Sequence, residues 1–291
     1  MTDIASLKSG KTERDENFPV ASLLIAARFR RPILAFYRFA RAADDVADHP
    51  QLGQHEKFAA LDLLEATLLG RTDAAADALP LRAALADMGL APRHALDLLT
   101  AFRIDVSKRR YRDWGELLNY CSYSAMPVGR FVLDVHGEGQ STWPASDALC
   151  TALQIINHLQ DCAKDFRALD RVYVPLDALA AYGIGVEELA MNKASPRLRA
   201  CLRALAAKVG EFMADATKLP HQVRSLRLAA ETAVIVGLAQ KLVEFLLIRD
   251  PLGERVHLTK AGALAVAARA ASWAIAGRVL GQIRPGAAAR G

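Results

Sequence analysis

Apolar side chains recur three and four residues apart along most of this chain, the spacing that gathers them on one face of an α-helix. Residues 54–70 show it plainly: Phe58, Leu61, Leu64 and Leu68 form one stripe, which stops at Gly70. Ala, Leu and Arg dominate and β-branched runs of strand length are scarce, so the pattern predicts an all-α protein. A first helix is expected over 18–30, with Pro19 near its start, where a missing N–H costs little. Pro32 should break it and open a second helix that ends near Asp48, before His49-Pro50. Further helices are predicted at about 74–88, 92–110 and 113–137, the last capped by Asp113 with Glu116 three residues on. Pro144 and Ser146 introduce a long apolar helix to about Phe166. After a loop with a short helix at Pro175, helices are expected at 186–191, 195–218, 220–248 and 259–281.

Two features break the periodicity. In YCSYSAMPVGRFVLDVHG, Pro127 and Gly129 interrupt an otherwise apolar helix. A kink made for packing would explain them, and so would a helix bent open so that Tyr120, Ser124 and Gly129 line a cavity. The other feature is acidic. Asp44, Asp45 and Asp48 lie in RAADDVAD, and Asp161 and Asp165 lie in NHLQDCAKD with Asn157 one turn earlier. On a helix, Asp44 stacks over Asp48, and Asn157, Asp161 and Asp165 form one column. Acidic pairs at this spacing are common on solvated faces, but the flanks ILAFYRFARAA and ALCTALQIINHL are too apolar for a face in water. Carboxylates within buried helices are rare unless paired or metal-bound. Magnesium suits them, since it takes a few carboxylate oxygens, keeps several waters and completes its shell with substrate phosphate. Two such columns point to a diphosphate gripped through Mg2+.

Cations flank both clusters. Arg41, one turn before Asp44 and Asp45, reads either as an ion-pair partner or as a clamp on phosphate. Arg171 and Tyr173 admit the same two readings, and His158 reads as a satisfied core histidine. No His/Cys grouping suggests zinc, and no GxGxxG, GxxxxGK[ST] or GxSxG motif is present.

Composition narrows the picture. The chain has 291 residues, 52% of them hydrophobic, with no linker or repeat, so one helical domain over 1–291 is expected. The net charge of +5 is spread rather than clustered, which argues poorly for nucleic acid and weakly for anionic ligands or a membrane surface. Cys121, Cys150, Cys162 and Cys201 lack CxxC spacing and read as core residues in a reducing cytosol. The polar N-terminus lacks the apolar core of an export signal. No stretch offers the roughly 20 uninterrupted apolar residues of a spanning helix. Residues 261–283 come nearest, interrupted by Arg269 and Arg278. With Leu264, Val266, Trp273, Ile275, Val279 and Leu280, that stretch is a packing helix or, alternatively, a peripheral membrane contact.

Taken together, YRFARAADDVAD, YCSYSAMPVGR and LQIINHLQDCAKDFRALDRVYVP resemble the squalene and phytoene synthases, the head-to-head prenyl transferases. The resemblance runs from ENFPVAS at 16–22 to ERVHLTK at 254–260. Within the family, ENFPVAS, SDALCTALQIINHLQDC and RVYVP are most similar to the bacterial hydroxysqualene synthases of hopanoid biosynthesis. It implies an all-α isoprenoid-synthase bundle around a central pocket, with the acidic motifs facing each other at its mouth. Asp44, Asp48, Asp161 and Asp165 would then hold the magnesium, assisted by Asn157, with Asp45 filling the middle position of the first motif. Arg41 would contact diphosphate, joined by Arg171, Arg255 and Lys260. Tyr37, Tyr120, Ser124, Ala125, Gly129 and Gln154 would line the prenyl cavity. Asn17-Phe18-Pro19 replaces a Ser-rich motif of other branches, so a hydroxyl–phosphate contact there is not expected.

The implied reaction converts presqualene diphosphate and water to hydroxysqualene and diphosphate, with sister prenyl synthases in the same pathway. Tyr120 and other aromatics would stabilise the cation through their π faces. No nicotinamide signature is present, and NADPH-using members of the family also lack a Rossmann motif. The alternatives are a presqualene diphosphate, squalene or phytoene synthase acting on two prenyl diphosphates, a non-catalytic helical assembly protein, or a membrane-surface binding module. A degenerate assembly protein should have lost carboxylates that this chain keeps.

Overall fold

Burial of apolar stripes against one another explains why the described residues fold as helices. The structure, a computed structural model, describes residues 25–283 and their side chains as far as 277. The expectations placed on Pro19, Asn17-Phe18-Pro19 and ENFPVAS lie outside the described residues. The helices are α1 (Ala27–Asp48), α2 (Gln54–Leu68), α3 (Leu79–Met88), α4 (Arg93–Ser107), α5 (Trp114–Ser124) and α6 (Met126–Val135). They continue with α7 (Trp143–Leu169), α8 (Leu176–Ala181), α9 (Pro196–Ala216), α10 (Leu219–Gln222), α11 (Leu226–Ile248) and α12 (Lys260–Ile283). Among the described residues the only β-type pairing is an isolated bridge between Arg110 and Val172.

Several boundaries differ from the expected ones. Pro32 does not break the first helix: α1 begins at Ala27 and runs through it. A proline there costs about 3 kcal/mol. Burial of Ile33, Phe36 and Phe39 on the same face offsets it, at about 1.5–3 kcal/mol each. The segment expected as 74–88 starts only at Leu79. Before it, Ala75 N–H donates to Thr67 Oγ1 (3.1 Å), and Arg82 holds the Thr67 and Thr72 carbonyls. The 113–137 helix divides at Ala125 (φ −121°, ψ −50°), two residues before Pro127, which enters α6 in its first turn. Asp113 caps α5 by accepting from Glu116 N–H at 2.8 Å. Residues 186–190 form a 3-10 turn. The 220–248 segment divides into α10 and α11, because the buried Glu138 carboxylate accepts from the backbone N–H of Arg224 and Ser225 and fixes a new helix start there. As expected of the 54–70 segment, α2 ends just before Gly70, whose φ of +76° suits a residue without Cβ.

Two groups of helices make two cores. One gathers α1–α4 with Phe131 and Val135 of α6, including Phe36 stacked on Phe131 at 4.0 Å. The other gathers α5, α7, α9 and α11. The helix α12 lies along α11 and leaves Leu264, Trp273 and Ile275 exposed. No described helix is long and apolar enough to cross a membrane. All four cysteines are free, and burial pushes the Cys121 and Cys162 thiols up to about 12.

Candidate active site

The seam between the two cores opens into a cavity of about 420 Å³. From the first core, α1 contributes Asp44 and Asp48, and α4 contributes Ala101, Phe102 and Asp105. From the second, α5 contributes Tyr120 and Ser124, and α7 contributes Gln154, Asn157, His158, Asp161 and Asp165. Both acidic columns expected from helical spacing therefore line one space. Asp45, one residue round the helix from Asp44, is buried behind the wall.

Cations compensate these carboxylates incompletely. Arg41 donates to Asp44 (2.6 Å) and to Asp45 (2.9 Å), Arg171 donates to Asp48 (2.9 Å), and Lys164 stands 3.5 Å from Asp161. The Asp44 side chain is walled in by protein yet 34% exposed to the cavity. Its desolvation, then the neighbouring Asp48, raises its pKa to about 7. Desolvation and Asp161 raise Asp165 likewise to about 7. Carboxyls that resist ionisation while pointing into one cavity mark a place short of positive charge. Among the described residues, no three acidic, imidazole or thiol groups already converge as a ligand cluster. The donor set nonetheless suits magnesium, which binds through one or two carboxylates per ion plus waters and phosphate rather than through an all-protein cage.

Deeper in the wall, Asp105 holds a network that sequence reasoning missed. Tyr120 and Tyr173 each donate a hydroxyl to its carboxylate at 2.8 Å, and Arg171 donates to its carbonyl at 3.1 Å. Arg171 also reaches Tyr173 Oη at 3.4 Å. One guanidinium thus ties Asp48 on α1 to Asp105 on α4 and to the strand-like segment after α7. Burial holds the Asp105 carboxyl up at about 6, against the pull of Arg171 and the two hydroxyls. His158 stacks on Tyr173 with centroids 3.5 Å apart, and burial lowers its pKa to about 3, so it is neutral. A signal for Asp105 existed: it continues the apolar stripe of Leu98 and Ala101 on α4, where a carboxylate is out of place.

Other expected residues lie elsewhere. Tyr37, Arg41, Ala125, Arg255 and Lys260 are not on the wall of this cavity, and Arg255 and Lys260 are exposed. The loop that carries Arg255 is tied to α7 by Gln160, which donates to the Val256 carbonyl. Gly129 lines a second, apolar cavity of about 260 Å³ with Ile33, Val132, Leu149 and Leu153.

This architecture and paired acidic columns define an isoprenoid-synthase-type protein, and sequence comparison makes the assignment. Residues 11–261 match the profile of the squalene/phytoene synthase family, so the chain belongs to that family. It is 57% identical to a hydroxysqualene synthase of Rhodopseudomonas palustris over 89% of this chain and 88% of that protein. Against a hydroxysqualene synthase of Sinorhizobium fredii the identity is 56%, covering 89% of each. Among solved structures, it resembles a squalene synthase from Alicyclobacillus acidocaldarius with a TM-score of 0.68 and 28% identity, covering 93% of this chain and 92% of that one.

Proposed function

We propose that this enzyme converts presqualene diphosphate and water to hydroxysqualene and diphosphate. The observation that carries this reading is the opposition of two acidic columns across one cavity whose remaining wall holds Phe102, Tyr120 and Tyr173. The relatives named hydroxysqualene synthases, at 57% and 56% identity, support the choice of product. Asp44, Asp48, Asp161 and Asp165, with Asn157 beside them, would hold magnesium. The metal, when bound, supplies charge neutralisation and Lewis-acid pull on the leaving diphosphate. Arg171, already aimed at an acidic column, offers a forked donor to phosphate oxygens. Tyr120 commits its hydroxyl proton to Asp105 and offers its ring to the cation left behind. The apolar cavity beside Gly129 takes a prenyl tail. Exposed Leu264, Trp273 and Ile275 on α12 suit a peripheral lipid contact, through which such an apolar product leaves.

Incubating the protein with Mg2+ and presqualene diphosphate should give hydroxysqualene, with NADPH neither required nor consumed. Farnesyl diphosphate alone should react poorly, because a sister synthase performs the first condensation. Squalene formed from farnesyl diphosphate with stoichiometric NADPH oxidation would overturn the reaction while leaving the family intact.

A further inference from the structure

The cavity wall carries hydrogen-bonding atoms that gripping a diphosphate does not use. Ser124 Oγ is buried and has no hydrogen-bond partner. Gln154 Nε2 donates to His158 Nε2 at 3.2 Å. All three residues line the same cavity as the acidic columns. Their relative placement follows from the direction of the helices. Tyr120 faces His158 with ring centroids 6.0 Å apart, while a Cβ on Gly129 would meet Ser146 and Cys150. Moving from 120 to 129 along α5 and α6 thus descends α7 from 158 toward 146. Ser124, one turn after Tyr120, stands level with Gln154, one turn before His158.

A buried hydroxyl left unpaired costs about 1–3 kcal/mol. Its natural partner is an oxygen that enters the cavity, and a prenyl tail carries none. A water held in a protein interior needs two to four polar neighbours. Resting on the reaction proposed above, we infer that Ser124, Gln154 and His158 position the water that captures the carbocation, one turn along from the Tyr120 ring. The water oxygen gives a lone pair to the cationic carbon and forms the C–O bond. Its surplus proton passes to the diphosphate released in the same cavity. Without a localised water, the cation loses a neighbouring proton to that diphosphate and becomes a hydrocarbon with one more double bond. These three residues therefore set the product rather than the ionisation.

The test measures, for each diphosphate released, the ratio of alcohol to hydrocarbon formed from presqualene diphosphate in ¹⁸O-labelled water. Ser124→Ala should lower the ratio about tenfold, the size of one lost hydrogen bond. His158→Phe, which keeps a ring on Tyr173, should do the same, and Ser124→Thr, which keeps the hydroxyl, should restore it. An unchanged ratio in Ser124→Ala and His158→Phe overturns the inference. So does loss of diphosphate release in both variants with helical circular dichroism intact, because the residues would then serve ionisation. If the wild-type enzyme forms no hydroxysqualene at all, the reaction itself is wrong rather than the placement of the water.

Discussion

Asp105 is the residue on which the site's side chains converge. Its carboxylate receives two tyrosine hydroxyls, and Arg171 spans from it to Asp48. Truncating one member of a buried charged network leaves the others desolvated and uncompensated, which costs about 3–5 kcal/mol. Asp105→Ala should therefore lower unfolding free energy by about 3 kcal/mol in a denaturant titration. Asp105→Asn keeps the shape but offers one acceptor for two hydroxyls. It should stay folded while turnover falls about 10- to 100-fold, as when the partners that orient a ligand set are changed. Full activity in Asp105→Asn would show that the orientation of Tyr120 and Tyr173 is irrelevant to the reaction.

At the scale of elements, the contact between α6 and α7 shapes the apolar cavity. A Cβ at Gly129 would stand 2.3 Å from Ser146 Oγ and 2.6 Å from Cys150 Sγ, so something at this contact has to shift. Gly129→Ala should therefore push α6 away from α7 and destabilise by about 1–3 kcal/mol, the usual cost of overpacking. Gly210, inside α9, meets only Val243 at 3.8 Å. There Gly210→Ala should stabilise by up to about 1 kcal/mol through helix propensity. Comparing the two melting temperatures checks the pair, and equal shifts would mean that the close approach at Gly129 relaxes freely.

Across the whole molecule, folding desolvates carboxyl groups where the two halves meet and sets like charges beside them. Asp44 and Asp165 have folded-state pKa values of about 7, above the ordinary 3.8. The folded protein therefore holds these protons more tightly than the unfolded chain does. Metal-free protein should lose stability as pH rises from about 4 to 7, because ionisation is opposed only in the folded state. Magnesium competes with the same protons, so the rise in melting temperature on adding Mg2+ should be larger at pH 7.5 than at pH 5.5. Asp44→Asn should shrink that difference. A magnesium effect that ignores pH would mean that the metal binds away from these carboxylates.

Helical class, most helix positions and the two acidic columns were legible in the sequence, because each depends on residues within a few turns of one another. The spacing of Asp44 to Asp48 and of Asn157 to Asp165 is a property of helix geometry alone. Boundaries set by distant partners were not legible. The start of α11 depends on Glu138, and the passage of α1 through Pro32 depends on a buried apolar face. The same limit applied to the site. Asp45 and Arg41 sit beside Asp44 in the chain yet do not line the cavity, while Asp105, far from either motif, lies in its wall. Which face of a helix meets which neighbour is decided by packing between cores, and only the tertiary structure brings Asp48, Asp105 and Tyr173 to one guanidinium and one cavity.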